Sequence, residues 1–168
     1  MFRKFHRLIR TTAIFGVVFA VALSFAWATI NTYSASMTIY KTEAGAMGIV
    51  NDGPNKITAY TEDEAVDAYL DEYELNQIEI TADLTEEWVD TGNGTGYYRL
   101  SFTFSPSGLY FSPPLYLKIK GKWVADDTQF WLYDENGEEL EGIRHNNGNQ
   151  IIFEIDHFSC YYYESYCY

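Results

Sequence analysis

The chain is predicted to be all-β, an antiparallel β-sandwich with one short inserted helix, behind an N-terminal transmembrane or signal helix. Three observations predict it. Turn residues recur every eight to twelve positions from about residue 42 onward, the spacing of short antiparallel strands. Between the turns, apolar and polar residues alternate, as in Tyr98-Arg99-Leu100-Ser101-Phe102-Thr103-Phe104. Ahead of all this, residues 13–30 carry no charge at all.

The N-terminal segment comes first in the chain. A basic head, Arg3-Lys4-Phe5-His6-Arg7 to Arg10, precedes the apolar run from Ala13 to Ile30. Eighteen residues at about 1.5 Å each make a helix of roughly 27 Å, close to the hydrocarbon thickness of a bilayer. Positive flanks stay on the cytoplasmic side, so the rest of the chain is expected outside the cytoplasm, membrane-anchored or secreted. The run is longer than a typical signal-peptide core, yet two small-x-small sites follow, Ala26-Trp27-Ala28 and Ser34-Ala35-Ser36. Retained anchor and cleaved leader both fit. No cysteine stands near the end of the run, which argues against a lipoprotein. Residues 1–36 are thus read as leader or single-span anchor plus linker, and residues 37–168 as one extracytoplasmic domain.

Past residue 36 the chain keeps seven basic residues against 24 acidic ones, a net charge of −17. A nucleic-acid phosphate backbone would be repelled, and nucleic acid is excluded as a partner. The acidity serves solubility. Asp134-Glu135-Asn136-Gly137-Glu138-Glu139 has its glycine too early for a calcium loop and reads as an Asn-Gly hairpin turn.

The elements follow in order. A linker runs to about Thr42; then Gly48–Asn51 and Lys56–Tyr60 flank Asp52-Gly53-Pro54 as a hairpin. Thr61-Glu62-Asp63-Glu64 matches a capping box, and Val66, Tyr69, Leu70 and Tyr73 fall at helical spacing, which predicts a helix of about three turns. Strands resume at Gln77–Thr81 and Tyr98–Phe104. Leu115, Leu117 and Ile119 point inward, with Lys118 and Lys120 outward. Phe130 and Leu132 alternate with Trp131 and Tyr133. Ile151, Phe153 and Ile155 face the core. One dry face per sheet is buried most economically against another sheet.

Two segments carry a family resemblance. Ser105-Pro106-Ser107-Gly108-Leu109-Tyr110-Phe111-Ser112-Pro113-Pro114-Leu115-Tyr116-Leu117-Lys118-Ile119 and the closing Ile155-Asp156-His157-Phe158-Ser159-Cys160-Tyr161 resemble the β-sandwich domain shared by ankyrins, netrin receptors and zonula occludens proteins. Extracytoplasmic versions of that domain occur in bacterial surface proteins. The resemblance covers roughly residues 97–163. It implies a non-enzymatic scaffold for protein contact or spacing. In physical terms, Pro106 and Gly108 tighten a turn, Pro113-Pro114 stiffens strand entry, and Phe111 plugs the core.

Candidate chemistry is sparse, and no cofactor or metal is expected. His157-Phe158-Ser159 resembles the autoproteolysis triplet of some self-cleaving sandwich domains. Ser159 Oγ would attack the Phe158 carbonyl, His157 would take its proton, and water would then hydrolyse the ester. The bland alternative is a strand end with Phe158 in the core. His145 lies in a turn with no partner ligand beside it, although a His145/His157 pair across strands is conceivable. Asn93-Gly94-Thr95 is a formal glycosylation sequon. The carboxylate pairs Glu86-Glu87 and Asp126-Asp127 are expected in solvated turns. Cys160 and Cys167 could form a terminal disulfide if the chain turns between them. Tyr116, Trp123, Trp131 and Tyr133 are expected on outer faces or adjoining loops, where they could stack on sugar rings. The expected function is a non-enzymatic interaction or spacer module at the cell surface, held by the membrane through its N-terminus and meeting a protein or glycan partner. Self-cleavage and carbohydrate or cell-wall binding are the alternatives.

Overall fold

The computed structural model describes residues 29–92, 95–124, 129–144 and 149–167. These form two antiparallel sheets and one short helix. The strands are β1 (Ile30–Tyr40), β2 (Ala46–Asp52), β3 (Asn55–Tyr60), β4 (Gln77–Gly92), β5 (Thr95–Ser105), β6 (Tyr110–Lys120), β7 (Gln129–Tyr133), β8 (Glu139–Leu140), β9 (Gly142–Arg144), β10 (Gln150–His157) and β11 (Cys160–Cys167), with α1 (Asp67–Glu72) between β3 and β4. The six-stranded sheet runs β1-β4-β5-β11-β7-β8 and the five-stranded sheet β2-β3-β6-β10-β9. The chain passes between sheets at six connections, so the two sheets are interleaved along the sequence.

Period-two alternation dictates these strands. On β4, Ile78, Ile80, Ala82 and Leu84 are buried, while Gln77, Glu79, Asp83 and Thr85 are exposed. The opposing face is supplied by Leu115, Leu117 and Ile119 of β6 with Ile151, Phe153 and Ile155 of β10, all fully buried. Both sheets pool these side chains in one core, the arrangement expected of a β-sandwich. Phe111 sits in that core, edge-on to Phe158, as its place in the sequence predicts.

The turns obey local chemistry. Asp52 pairs with Asn55 across Gly53-Pro54, closing the first hairpin. Between β7 and β8 the Asp134 carboxylate accepts hydrogen bonds from the backbone amides of Asn136 and Glu138 at 2.9 and 2.8 Å. Gly137 takes φ +80°, open to glycine without cost. Burial works to raise the Asp134 carboxyl, but these donors outweigh it and hold it below its usual range.

Four expectations are corrected. The linker before Thr42 does not exist: β1 begins at Ile30 and pairs with β4 over all eleven residues, so the domain starts well before residue 37. Its small, uncharged residues resemble a linker in composition. Their alternation decides otherwise, with Tyr33, Ala35, Met37 and Ile39 packed on the core.

The helix is shorter than the capping box suggests. Thr61 Oγ1 accepts the Gly45 amide instead of capping, and Glu64 adopts φ +69°, which a helix cannot continue through. The helix therefore starts after Val66, without a side-chain cap. It ends in a Schellman arrangement. The Leu75 amide reaches the Leu70 carbonyl at 2.8 Å and Glu74 stands at φ +54°, where glycine is usual. Val66 and Leu70 are buried, each contributing about 1.5–3 kcal/mol, and they explain why so short a helix persists.

Glu86-Glu87 lies inside β4 rather than in a turn. Glu86 occupies an inward position and is 3 % exposed, bound to Lys122 Nζ with Tyr33 Oη at 3.5 Å. Lys122 Nζ also stands about 5 Å over the Tyr98 and Trp123 rings.

The disulfide is the fourth correction. Cys160 is a free thiol, and β11 runs unbroken from Cys160 to Cys167. Seven strand steps separate their backbones by roughly 23 Å, far beyond disulfide reach.

Among the described residues no helix is long and apolar enough to cross a membrane. Residues 1–28, with the basic head and most of the apolar run, lie outside the described residues, as do Asn93, Asp126, Asp127 and His145.

Candidate functional site

The outer face of the five-stranded sheet carries the most distinctive surface chemistry. Strand register builds it in rows. Ala46, Tyr60, Tyr116 and Glu154 lie side by side across β2, β3, β6 and β10. The next row is Gly48, Thr58, Lys118 and Ile152, and beyond it Lys56 pairs with Lys120. Inward neighbours Ile57, Ala59, Leu117 and Ile119 are fully buried, so the outward set is held on a rigid support.

Tyr60 and Tyr116 stack with ring centroids 5.1 Å apart at 19°. Lys118 Nζ stands 5.0 Å from the centre of the Tyr60 ring, a cation–π contact. Beside them opens a cavity of about 450 Å³, lined by Ala44, Gly45, Ala46, Thr58, Tyr60, Thr61 and Lys118. Its floor is pinned reciprocally: the Thr61 amide donates to the Gly45 carbonyl at 2.8 Å, and the Gly45 amide to Thr61 Oγ1 at 2.9 Å. Gly45 is needed there, since a Cβ would come within 2.9 Å of Ile39 Cγ1.

Charge on this face differs from that of the whole. Lys56, Lys118 and Lys120 are three of the seven basic residues past residue 36. Two carboxylates stand at its tyrosine end, Glu154 beside Tyr116 and Glu62 just past β3. Burial pushes both phenols up, Glu62 adding to it at each, and they stay hydrogen-bond donors at neutral pH. An apolar floor, a stacked aromatic wall and ammonium groups suit a ligand with a flat apolar face and an anionic substituent.

The four aromatics singled out from sequence do not form one site. Tyr116 belongs to the face just described. Trp131 and Tyr133 lie on the outer face of the other sheet, where Tyr133 pairs with Tyr162. Trp123 is fully buried, which removes it as a stacking residue. It follows Gly121-Lys122 at the turn out of β6, and its carbonyl accepts the Tyr163 hydroxyl at 2.7 Å. Strand parity does not apply to a turn residue. Tyr60, the other half of the stacked pair, was missed. Its cross-strand alignment with Tyr116 depends on β3–β6 register, and only the outward parity of Lys56, Thr58 and Tyr60 in sequence hinted at it.

The His157-Phe158-Ser159 segment forms the crossover from β10 to β11. Phe158 is buried against Phe104 and Phe111. Its amide donates to the Leu109 carbonyl at 2.8 Å, and its carbonyl accepts the Gly108 amide at 2.9 Å. His157 Nδ1 lies 2.7 Å from Asp156 Oδ1, and the Ser159 hydroxyl donates to the Cys160 carbonyl at 3.4 Å. The structure thus brings the three residues together but couples His157 to Asp156. The triplet's hydrogen bonds clamp the sheet-to-sheet crossover. Among the described residues no group of three or more His, Cys, Asp or Glu side chains could hold a metal ion. No protein-family model matches the chain, and no curated protein matches it.

Proposed function

We propose that this chain is a non-enzymatic interaction module displayed outside the cytoplasm, and that the outer face of the five-stranded sheet binds an anionic glycan. The observation that carries the reading is the Tyr60–Tyr116 stack with Lys118 beside an open apolar cavity, in a chain otherwise strongly acidic. A pyranose presents one apolar face suited to an aromatic wall, and a carboxylate or phosphate substituent suits the lysines. The extracytoplasmic placement rests on the basic head and apolar run of the sequence. The resemblance to a scaffold sandwich is consistent with a binding rather than catalytic role.

Affinity electrophoresis of the full chain through gels containing polygalacturonate or a neutral glucan tests this. Retardation by the acidic polymer, weakened about fivefold or more by Tyr60→Ala and by Lys118→Gln, is expected if each contact contributes about 1 kcal/mol. Equal mobility in both gels would reject an anionic glycan as the ligand, and retardation unchanged by either substitution would reject this face.

Self-cleavage at Phe158–Ser159 is the second reading. The Gly108 amide on the Phe158 carbonyl favours it, being placed as a donor for a developing oxyanion. The Ser159 hydroxyl, which donates to the Cys160 carbonyl at 3.4 Å, opposes it. Intact mass decides: loss of residues 159–168 in the native chain but not in Ser159→Ala is required by this reading.

A further inference from the structure

The free edge of β1 is unlike every other edge of the two sheets. β8 and β9 are two and three residues long, and β2 is broken by a bulge between Gly48 and Val50 and ends on Asp52. Short edges, bulges and charges are the devices that stop edge strands from pairing with another chain. β1 has none of them. Its eleven residues, Ile30-Asn31-Thr32-Tyr33-Ser34-Ala35-Ser36-Met37-Thr38-Ile39-Tyr40, include no charge, glycine or proline, and its register with β4 has no irregularity. Among the described residues nothing pairs with its other side.

The same strand is nearly palindromic about Ala35. An antiparallel pair of β1 strands centred there places Ser34 opposite Ser36, Thr32 opposite Thr38 and Ile30 opposite Tyr40 on the outer face. On the inner face it places Tyr33 opposite Met37 and Ala35 opposite its own copy, with Asn31 facing Ile39 at the ends. Ile30 and Tyr40 are 59 % and 47 % exposed in the single chain, and each would cover the other. Matched hydroxyl and apolar cross-strand pairs are the unit of sheet stabilisation.

We propose that β1 pairs with β1 of a second copy, joining two six-stranded sheets through a two-fold axis at Ala35. Charge selects this edge in an acidic molecule. Inward Glu86, beside Tyr33, is paired with Lys122; the outward acids of β4, Glu79, Asp83 and Glu87, sit opposite Thr38, Ser34 and Ile30. In the pair they lie three strand spacings apart, about 14 Å, beyond the screening length of about 8 Å at physiological salt. An interface of about one strand falls at the small end of specific contacts, so the dimer is reversible. The two Ile30 residues stand roughly 33 Å apart at opposite ends of the pair.

The test uses the full chain expressed with its own leader and recovered from the secreted fraction, or in detergent from the membrane fraction. Sedimentation velocity across a wide concentration range should show a monomer–dimer equilibrium, and Ser34→Lys, on the exposed face, should raise the dissociation constant about tenfold or more. With Cys160 and Cys167 replaced by serine, Ala35→Cys should give a disulfide between the two copies on oxidation. Thr38→Cys should not, since position 38 faces position 32. Monomers at every concentration, or equal cross-linking at 35 and 38, would overturn the proposal. The glycan reading concerns the other sheet and is tested separately.

Discussion

Removing Lys122 should unfold the domain more readily than removing the charge of its partner. Glu86 side-chain exposure is 4 %, against 34 % for Lys122. In Lys122→Met the nearly dry Glu86 carboxyl loses its ammonium partner and keeps the Tyr33 hydroxyl at 3.5 Å. Orphaning a buried charge costs about 3–5 kcal/mol. The Tyr98 and Trp123 cation–π contacts go too, at about 0.5–1 kcal/mol each. Partial access to water returns some of this, which leaves about 3 kcal/mol. Glu86→Gln leaves instead an ammonium that can turn to solvent, and should cost only about 1 kcal/mol, near the value of one hydrogen bond. The pair of substitutions together should then be milder than Lys122→Met alone. Urea unfolding followed by tryptophan fluorescence measures all three at unchanged m-value. Equal losses for the two single variants, or a double variant whose loss is their sum, would refute the claim that Glu86 is buried and depends on Lys122.

Two further outcomes follow from the same structure. Tyr161, buried with its hydroxyl donating to the His157 carbonyl at 2.7 Å, has its pKa pushed up to about 12, chiefly by burial. The unfolded chain loses this proton near pH 10 and the folded chain later, so stability from this group is complete below about pH 10 and is lost as pH rises towards 12. Tyr161→Phe should flatten that alkaline decline and cost about 1 kcal/mol at neutral pH, both read from urea titrations. If the leader is cleaved, the mature N-terminus should be Thr29 and not Met37. Cleavage after Ser36 would strip seven of the eleven β1 residues from β4. An intact mass matching residues 37–168 in a folded, secreted product would show that β1 is dispensable.

The candidate face was half legible in the sequence. Tyr116 and Lys118 alternate with Leu115, Leu117 and Ile119, so their outward direction follows from the pleat alone. The cavity did not follow, because the loop at Ala44–Ala46 reaches Thr61 through hydrogen bonds between residues sixteen apart. Trp123 shows the reverse failure. Its type suggested a surface platform, and its position in a turn let it fold under the sheet.

What the sequence determined by itself is whatever depends on neighbours along the chain. Two-residue alternation set most of the strands and their buried faces, and Asp52-Gly53-Pro54 and Asn136-Gly137 set two turns, because side-chain direction and φ are local properties. The basic head and apolar run set the expectation of delivery across a membrane by composition alone. Tertiary structure decided what depends on partners distant in sequence. β1 became a strand because β4 offered eleven residues of backbone to pair with. Glu86 turned inward because Lys122, 36 residues away, could neutralise it. The helix lost its first turns because Gly45 claimed the Thr61 hydroxyl. Tyr60 met Tyr116 only through strand register, and a one-residue slip would have put them on opposite faces.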